Sequence, residues 1–229
     1  MTRTIALRPV VGALLALCAN FALAADAVAP STPASAIAIA PSAAGLIPAD
    51  MPPPAVTLAD NPDFDALREA YGRRMDFSQR CETSKPTKAW AAAQQAKDFA
   101  AAYDIAAKWL ETCPVSESVH LWAISSAKPL NDTAKIESHK RWYFGLMRSV
   151  LATGDGKTPA TAWKTISVAE EYSILISMQL KPEAQALLMD PKVDKLTARP
   201  LGGGDPVILY FNPEWHFVRL EHMLATPKS

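Results

Sequence analysis

The chain has no excess of charge of either sign: 23 lysines and arginines stand against 23 aspartates and glutamates in 229 residues. Nucleic-acid binders show a basic field and membrane-surface proteins a polybasic patch; neither is present, so no nucleic acid is expected as a partner. Histidines number only four. His216 and His222 would sit on different faces of a helix, so no ligand set forms and no metal or cofactor is expected. Cysteines number three, and no serine or cysteine has a nucleophile-elbow or papain-like context. The apolar run Pro9 to Cys18 is broken by Gly12 and is too short to span a bilayer. A phosphate loop is also missing. Gly154-Asp155-Gly156-Lys157-Thr158 lacks the required earlier glycine, since Leu151 stands there, and it follows a helical pattern rather than a strand. One carboxylate is too few for a calcium loop.

What is present begins with a leader. Arg3 and Arg8 precede the apolar run, and Ala22-Leu23-Ala24 offers a small-residue cleavage site. This is the order of a secretory signal peptide, residues 1–24, and implies a periplasmic or secreted protein. A leader kept as an anchor is the alternative; Leu17 argues against lipidation at Cys18. Removal leaves 21 basic and 23 acidic residues, a formal charge of −2, and no membrane-spanning segment in the mature chain. Residues 25–60 are Ala- and Pro-rich without an aromatic side chain. Such a stretch is expected to be a disordered tether with polyproline character. All six tryptophans lie beyond it. Residues 61–225 are therefore expected to form one folded domain.

Helical periodicity dominates the first half of that domain. Phe64, Leu67 and Tyr71 share a face. Thr87–Lys97 and Phe99–Thr112 read as a helical pair, and Ser116–Ala127 with Thr133–Ala152 as a second. After Gly154, read as the end of the long helix, the pattern changes. Trp163–Ile166, Val193–Ala198 and Val207–Phe211 read as strands, the last two joined by a turn at Gly202-Gly203-Gly204. Ser167–Met178 and Pro182–Leu188 read as helices, and Asn212-Pro213 starts a last one. The expected class is α+β: antiparallel helical hairpins followed by a small antiparallel sheet with short helices.

Asp98-Phe99, Ala102, Leu110 and Pro114 resemble the second half of a tetratricopeptide repeat: a turn acid and an aromatic, a small residue at the helix crossing, and a closing proline. Ser167 and Glu170 form a capping box, which makes Glu170 structural. Glu171 is read as solvated or structural, and the two neighbouring acids do not face each other. His139 falls on the apolar line Ile136, Tyr143, Val150 and is read as a hydrogen-bonded core histidine. Cys81 precedes one helix of the first pair and Cys113 follows the other, so both sit at one end of a hairpin. In an oxidising compartment they are expected to form a disulfide.

His139, Gly145-Leu146 and Ser149-Val150 on the long helix are followed by Gly154 to Thr158, Thr161-Ala162-Trp163, Ile166-Ser167-Val168, Glu170-Glu171-Tyr172 and Tyr210-Phe211-Asn212. Together these blocks, spread over about Trp90 to Leu220, resemble an uncharacterised bacterial family, the domain of unknown function numbered 4919. The resemblance implies an exported protein of repeat-like helices followed by a small sheet, and implies no activity. The favoured functional expectation is a non-enzymatic module that contacts another envelope protein through the helical concavity and the turn Asp155, Gly156, Lys157, Thr158. The alternative is a small envelope hydrolase in which Glu171, His139 and Asp155 meet in one cleft. A third is a structural domain displayed on a tether.

Overall fold

The computed structural model describes residues 45–83 and 85–225. The leader, residues 25–44 of the expected tether and the last four residues lie outside the described residues. Helix α1 (Phe64–Gly72) starts at Asp63, whose carboxylate accepts from the Asp65 and Ala66 amides. A five-residue π-helical turn, Gln79–Thr83, follows. Then come α2 (Thr87–Gln95), α3 (Phe99–Thr112), α4 (Glu117–Ala127) and α5 (Thr133–Leu151). Each packs on the next. The α2–α3 turn takes Lys97 into positive φ (58°), and Asp98 caps α3 by accepting from Ala101 N. Ala102 and Ala106 are fully buried, as a close helix crossing requires.

The second half holds β1 (Trp163–Lys164), α6 (Val168–Ser177), β2 (Leu180–Met189), β3 (Lys192–Pro200), β4 (Val207–Asn212) and α7 (Glu214–Ala225). The sheet order is β1-β4-β3-β2. The sheet is mixed, correcting the antiparallel expectation: β2–β3 and β3–β4 are antiparallel, but β1 runs parallel to β4, with Trp163 beside Phe211. Residues 165–206, 42 in all, separate β1 from β4, ample for the crossover that parallel pairing needs. The helix expected at Pro182–Leu188 is strand β2. Glu183, Ala184, Gln185 and Ala186 favour a helix, but Val193–Ala198, paired with β4 on one side, gains a ladder partner on its other side only if this segment is extended.

Long helix α5 serves two apolar cores. Trp142 and Leu146 pack with Leu67, Tyr71, Trp109 and Val119 in the helical layer. Tyr143, Met147 and Val150 pack with Ile174 and Leu175 of α6 and with Leu196 and Phe211 of the sheet.

Residues 45–60 belong to the same compact unit, although the sequence places them in the tether. Ile47 bridges to Arg74, Val56 and Leu58 pack on the helical core, and the Leu58 carbonyl accepts from Trp142 Nε1 at 3.1 Å. Gly154 does not end α5. The helix closes at Ala152 in ordinary αR conformation, and Gly154 instead lies so close to the Thr161 carbonyl that a side chain would collide with it. The positive φ of this turn is at Gly156 (65°), and a Cβ there would meet the Trp163 ring at 2.6 Å.

Candidate functional site

The expected disulfide is present: Cys81 in the π-helical turn is bonded to Cys113 at the end of α3, with Cα atoms 5.3 Å apart. It fixes the chain after Cys81 beside the start of α4. Lys85 consequently reaches Ser118, its Nζ donating to Oγ at 2.6 Å. Nζ also lies 5.1 Å from the Trp122 ring centroid. Burial is the main effect lowering the Lys85 pKa; the carboxyl groups of Glu117 and Glu82 partly oppose it.

These groups border a partly open cleft whose walls include the disulfide, Lys85, Glu117, Ser118, Ser167 and Glu170. The cavity volume is about 30 Å3. That is room for about two waters. The Ser116 side chain makes no cap hydrogen bond, though its carbonyl accepts from the Val119 and His120 amides at 3.2 Å each.

Behind the cleft lies a buried ion-pair network. Arg68 on α1 donates from Nε and Nη2 to the two Glu170 oxygens at 2.7 and 2.8 Å, and from Nη1 to Ser149 Oγ at 2.9 Å. Burial pulls the Arg68 pKa down, but the Glu170 charge and hydrogen bond outweigh it and the net shift is upward. Ser167 caps α6 as expected, accepting from Glu170 N. Glu170 does not return to the Ser167 amide; its Oε2 accepts from Ile166 N at 2.8 Å. A third group, Glu117, hydrogen bonds Glu170. Every other partner of Glu170 is a donor, so Glu170 is the ionised member and Glu117 carries the proton. Burial first, then the Glu170 charge, hold Glu117 well above the usual carboxyl range.

A second acid pair stands next door. Glu171 is fully buried, not solvated, and is hydrogen bonded to Asp194 of β3. Burial first, then Asp194, push it up to about 9. Thr165 Oγ1 reaches its Oε1 at 3.4 Å. Glu117 Oε1 and Glu171 Oε2 are buried and meet no donor from another residue; a carboxyl proton shared within each pair meets that need.

His139 is a core histidine, as the sequence indicates. Its Nδ1 faces His120 Nδ1 at 2.9 Å and its Nε2 faces Tyr103 Oη at 3.2 Å. His120 Nε2 donates to the Pro114 carbonyl at 2.9 Å, which fixes the proton on that nitrogen and leaves His120 Nδ1 as acceptor. Both rings are therefore neutral, burial lowering them to about 3 and about 4.

Asp155 lies on the exposed turn, where Thr161 Oγ1 and Lys157 N donate to it; the Thr161 hydrogen bond is the main cause of its lowered pKa. Glu171, His139 and Asp155 thus sit in three separate bonding groups, and no hydrogen bond among the described residues joins any two of them. Lys157 and Thr158 are exposed and Gly156 is buried under Trp163. Among the described residues no group of three or more His, Cys, Asp or Glu could hold a metal.

Sequence reasoning missed Arg68, Lys85, Glu117, Ser118, His120 and Asp194, because their partners lie far off in the chain. One signal was available: the predicted disulfide places residues just after Cys81 near those just after Cys113, which is where Lys85 and Ser118 meet.

An α+β domain with a disulfide-anchored cleft and a proton-bearing acid core is the class that fold and site define. The family model for the domain of unknown function DUF4919 matches residues 69–212, and the chain belongs to that family. No curated protein and no solved structure matches.

Proposed function

We propose that the chain is an exported interaction module of the bacterial cell envelope, non-enzymatic as regards Glu171, His139 and Asp155. The observation that carries the reading is strand β2. It is one of the two outer strands of the sheet, and its length from Ala184 to Met189 carries no charge. Leu187 and Met189 are 45 % and 71 % exposed. Free sheet edges are normally blunted by charge or proline. Here Lys181, Pro182 and Glu183 guard only the first turn of the strand, and an extended partner segment could add along the rest.

Export rests on the leader, and the disulfide is compatible with an oxidising compartment. No helix among the described residues is long and apolar enough to cross a membrane. The tetratricopeptide likeness of α2–α3 belongs to this proposal as a second contact face. The turn Asp155, Gly156, Lys157, Thr158 belongs to it as a third, with the Lys157 side chain 77 % exposed. Photo-crosslinking residues placed at Leu187 and at Lys157 test the reading in growing cells. A discrete adduct from Leu187 in the envelope fraction is expected. An adduct from Lys157 alone would move the contact to the turn, and no adduct from either would overturn the reading.

A further inference from the structure

We propose that Ser118 and Lys85 form a nucleophile–base pair that takes a short, uncharged acyl group from an ester. This goes beyond the docking reading and does not rest on it. Ser118 and Lys85 are in direct hydrogen bond at 2.6 Å, and both line the cleft. A nucleophilic hydroxyl bonded to a base, on the wall of a cavity, is the geometry that covalent acyl transfer requires. The lysine is held: its Nζ lies 6.0 and 5.1 Å from the Trp109 and Trp122 ring centroids, and the disulfide ties its segment to the base of α4. Burial favours the neutral amine that a general base must be. The groups opposing this are Glu82 and Glu117, and Glu117 bears a proton.

In the first step the Ser118 Oγ–H proton passes to the neutral Lys85 amine as Oγ bonds to the ester carbonyl carbon. The carbon–oxygen bond to the alcohol then breaks, and the alcohol leaves with that proton from the Lys85 ammonium. In the second step Lys85 takes a proton from water, the water oxygen adds to the acyl carbon, and the carboxylic acid departs as the proton returns to Ser118 Oγ. The backbone amide of Ser118, in the first turn of α4, is the donor available to the carbonyl oxygen as it gains charge. Cavity size sets the substrate: about two waters are displaced, which matches a two-carbon acyl group. Glu82 and Glu170 in the wall exclude an acyl group of negative charge.

The test uses the disulfide-bonded mature chain and p-nitrophenyl acetate, with acid quench, intact mass and peptide mapping. One acetyl group on Ser118 is expected, formed with release of one p-nitrophenolate. Lys85→Met should slow its formation by about a hundredfold or more, the usual worth of a general base. Ser118→Ala should abolish it, and Ser118→Cys, which keeps a nucleophile of similar size, should still be acylated at that position. Acetyl groups on surface lysines or on Lys85 alone, or equal labelling of Ser118→Ala and the unaltered chain, would overturn the proposal. A chain acylated at Ser118 that gives no crosslink from Leu187 or from Lys157 would sink the docking reading and leave the Ser118–Lys85 pair standing.

Discussion

Glu170 and Glu171 are adjacent in sequence yet do opposite things. Glu170 is ionised and takes two bonds from Arg68; Glu171 keeps its proton against Asp194. Glu170→Gln leaves the buried Arg68 guanidinium without its counter-charge. It is expected to cost about 3–5 kcal/mol, the penalty of breaking a buried ion pair from one side. Glu171→Gln replaces a neutral carboxyl by a neutral amide that still donates, and should cost no more than about 1 kcal/mol at neutral pH. Urea unfolding of the two variants checks the order; equal losses would contradict it. Sequence reasoning reached half of this. The spacing Ser167 to Glu170 marked a helix start, so a structural role for Glu170 was legible. Arg68, 102 residues earlier, was not, because nothing local in a sequence records which distant cation a buried carboxylate meets.

At the scale of elements, helices with caps and periodic faces were the legible part. Asp98 and Asp132 cap α3 and α5 through their carboxylates, and Ser167 caps α6. Ser167→Ala should cost about 1 kcal/mol, the ordinary loss of a cap, as a lowered midpoint in thermal unfolding. Strand β2 was misread because its side chains are exposed on both faces, so it shows no period-two alternation and only its helix-favouring composition remained to read. Its pairing with β3 is a tertiary fact. Disulfide Cys81–Cys113 was legible because both cysteines flank a recognisable hairpin. Its loss closes no loop of 32 residues in the unfolded chain, and should cost on the order of 3 kcal/mol. Two free thiols are expected per unfolded mature chain after reductant and none before; two before reductant would contradict the bond.

For the whole molecule, four buried groups dominate how stability depends on pH between 4 and 9; the lowered His216 and Lys85 add lesser slopes of the histidine sign. His120 and His139 are neutral when folded, with pKa values of about 3 and about 4 against 6.5 unfolded. The unfolded chain binds their protons first, so stability falls as pH drops below 6.5. Glu117 and Glu171 are protonated when folded, Glu171 up to about 9, against 4.5 unfolded. Here the folded chain holds the protons, so stability falls as pH rises above 4.5 until the folded pKa is passed. Between 4.5 and 6.5 the two effects have opposite slopes and cancel. None of this was visible in a composition that balances acids against bases; it arises because burial, not charge count, decides which groups keep protons. The most direct test of a core built on proton-bearing acid pairs is the free energy of unfolding by urea, measured from pH 4 to pH 9. The account predicts a plateau between about pH 4.5 and 6.5 and a continuous decline from there toward pH 9. Stability that holds level or rises from pH 6.5 to pH 9 would show that Glu117 and Glu171 are ionised in the folded chain, and would contradict it.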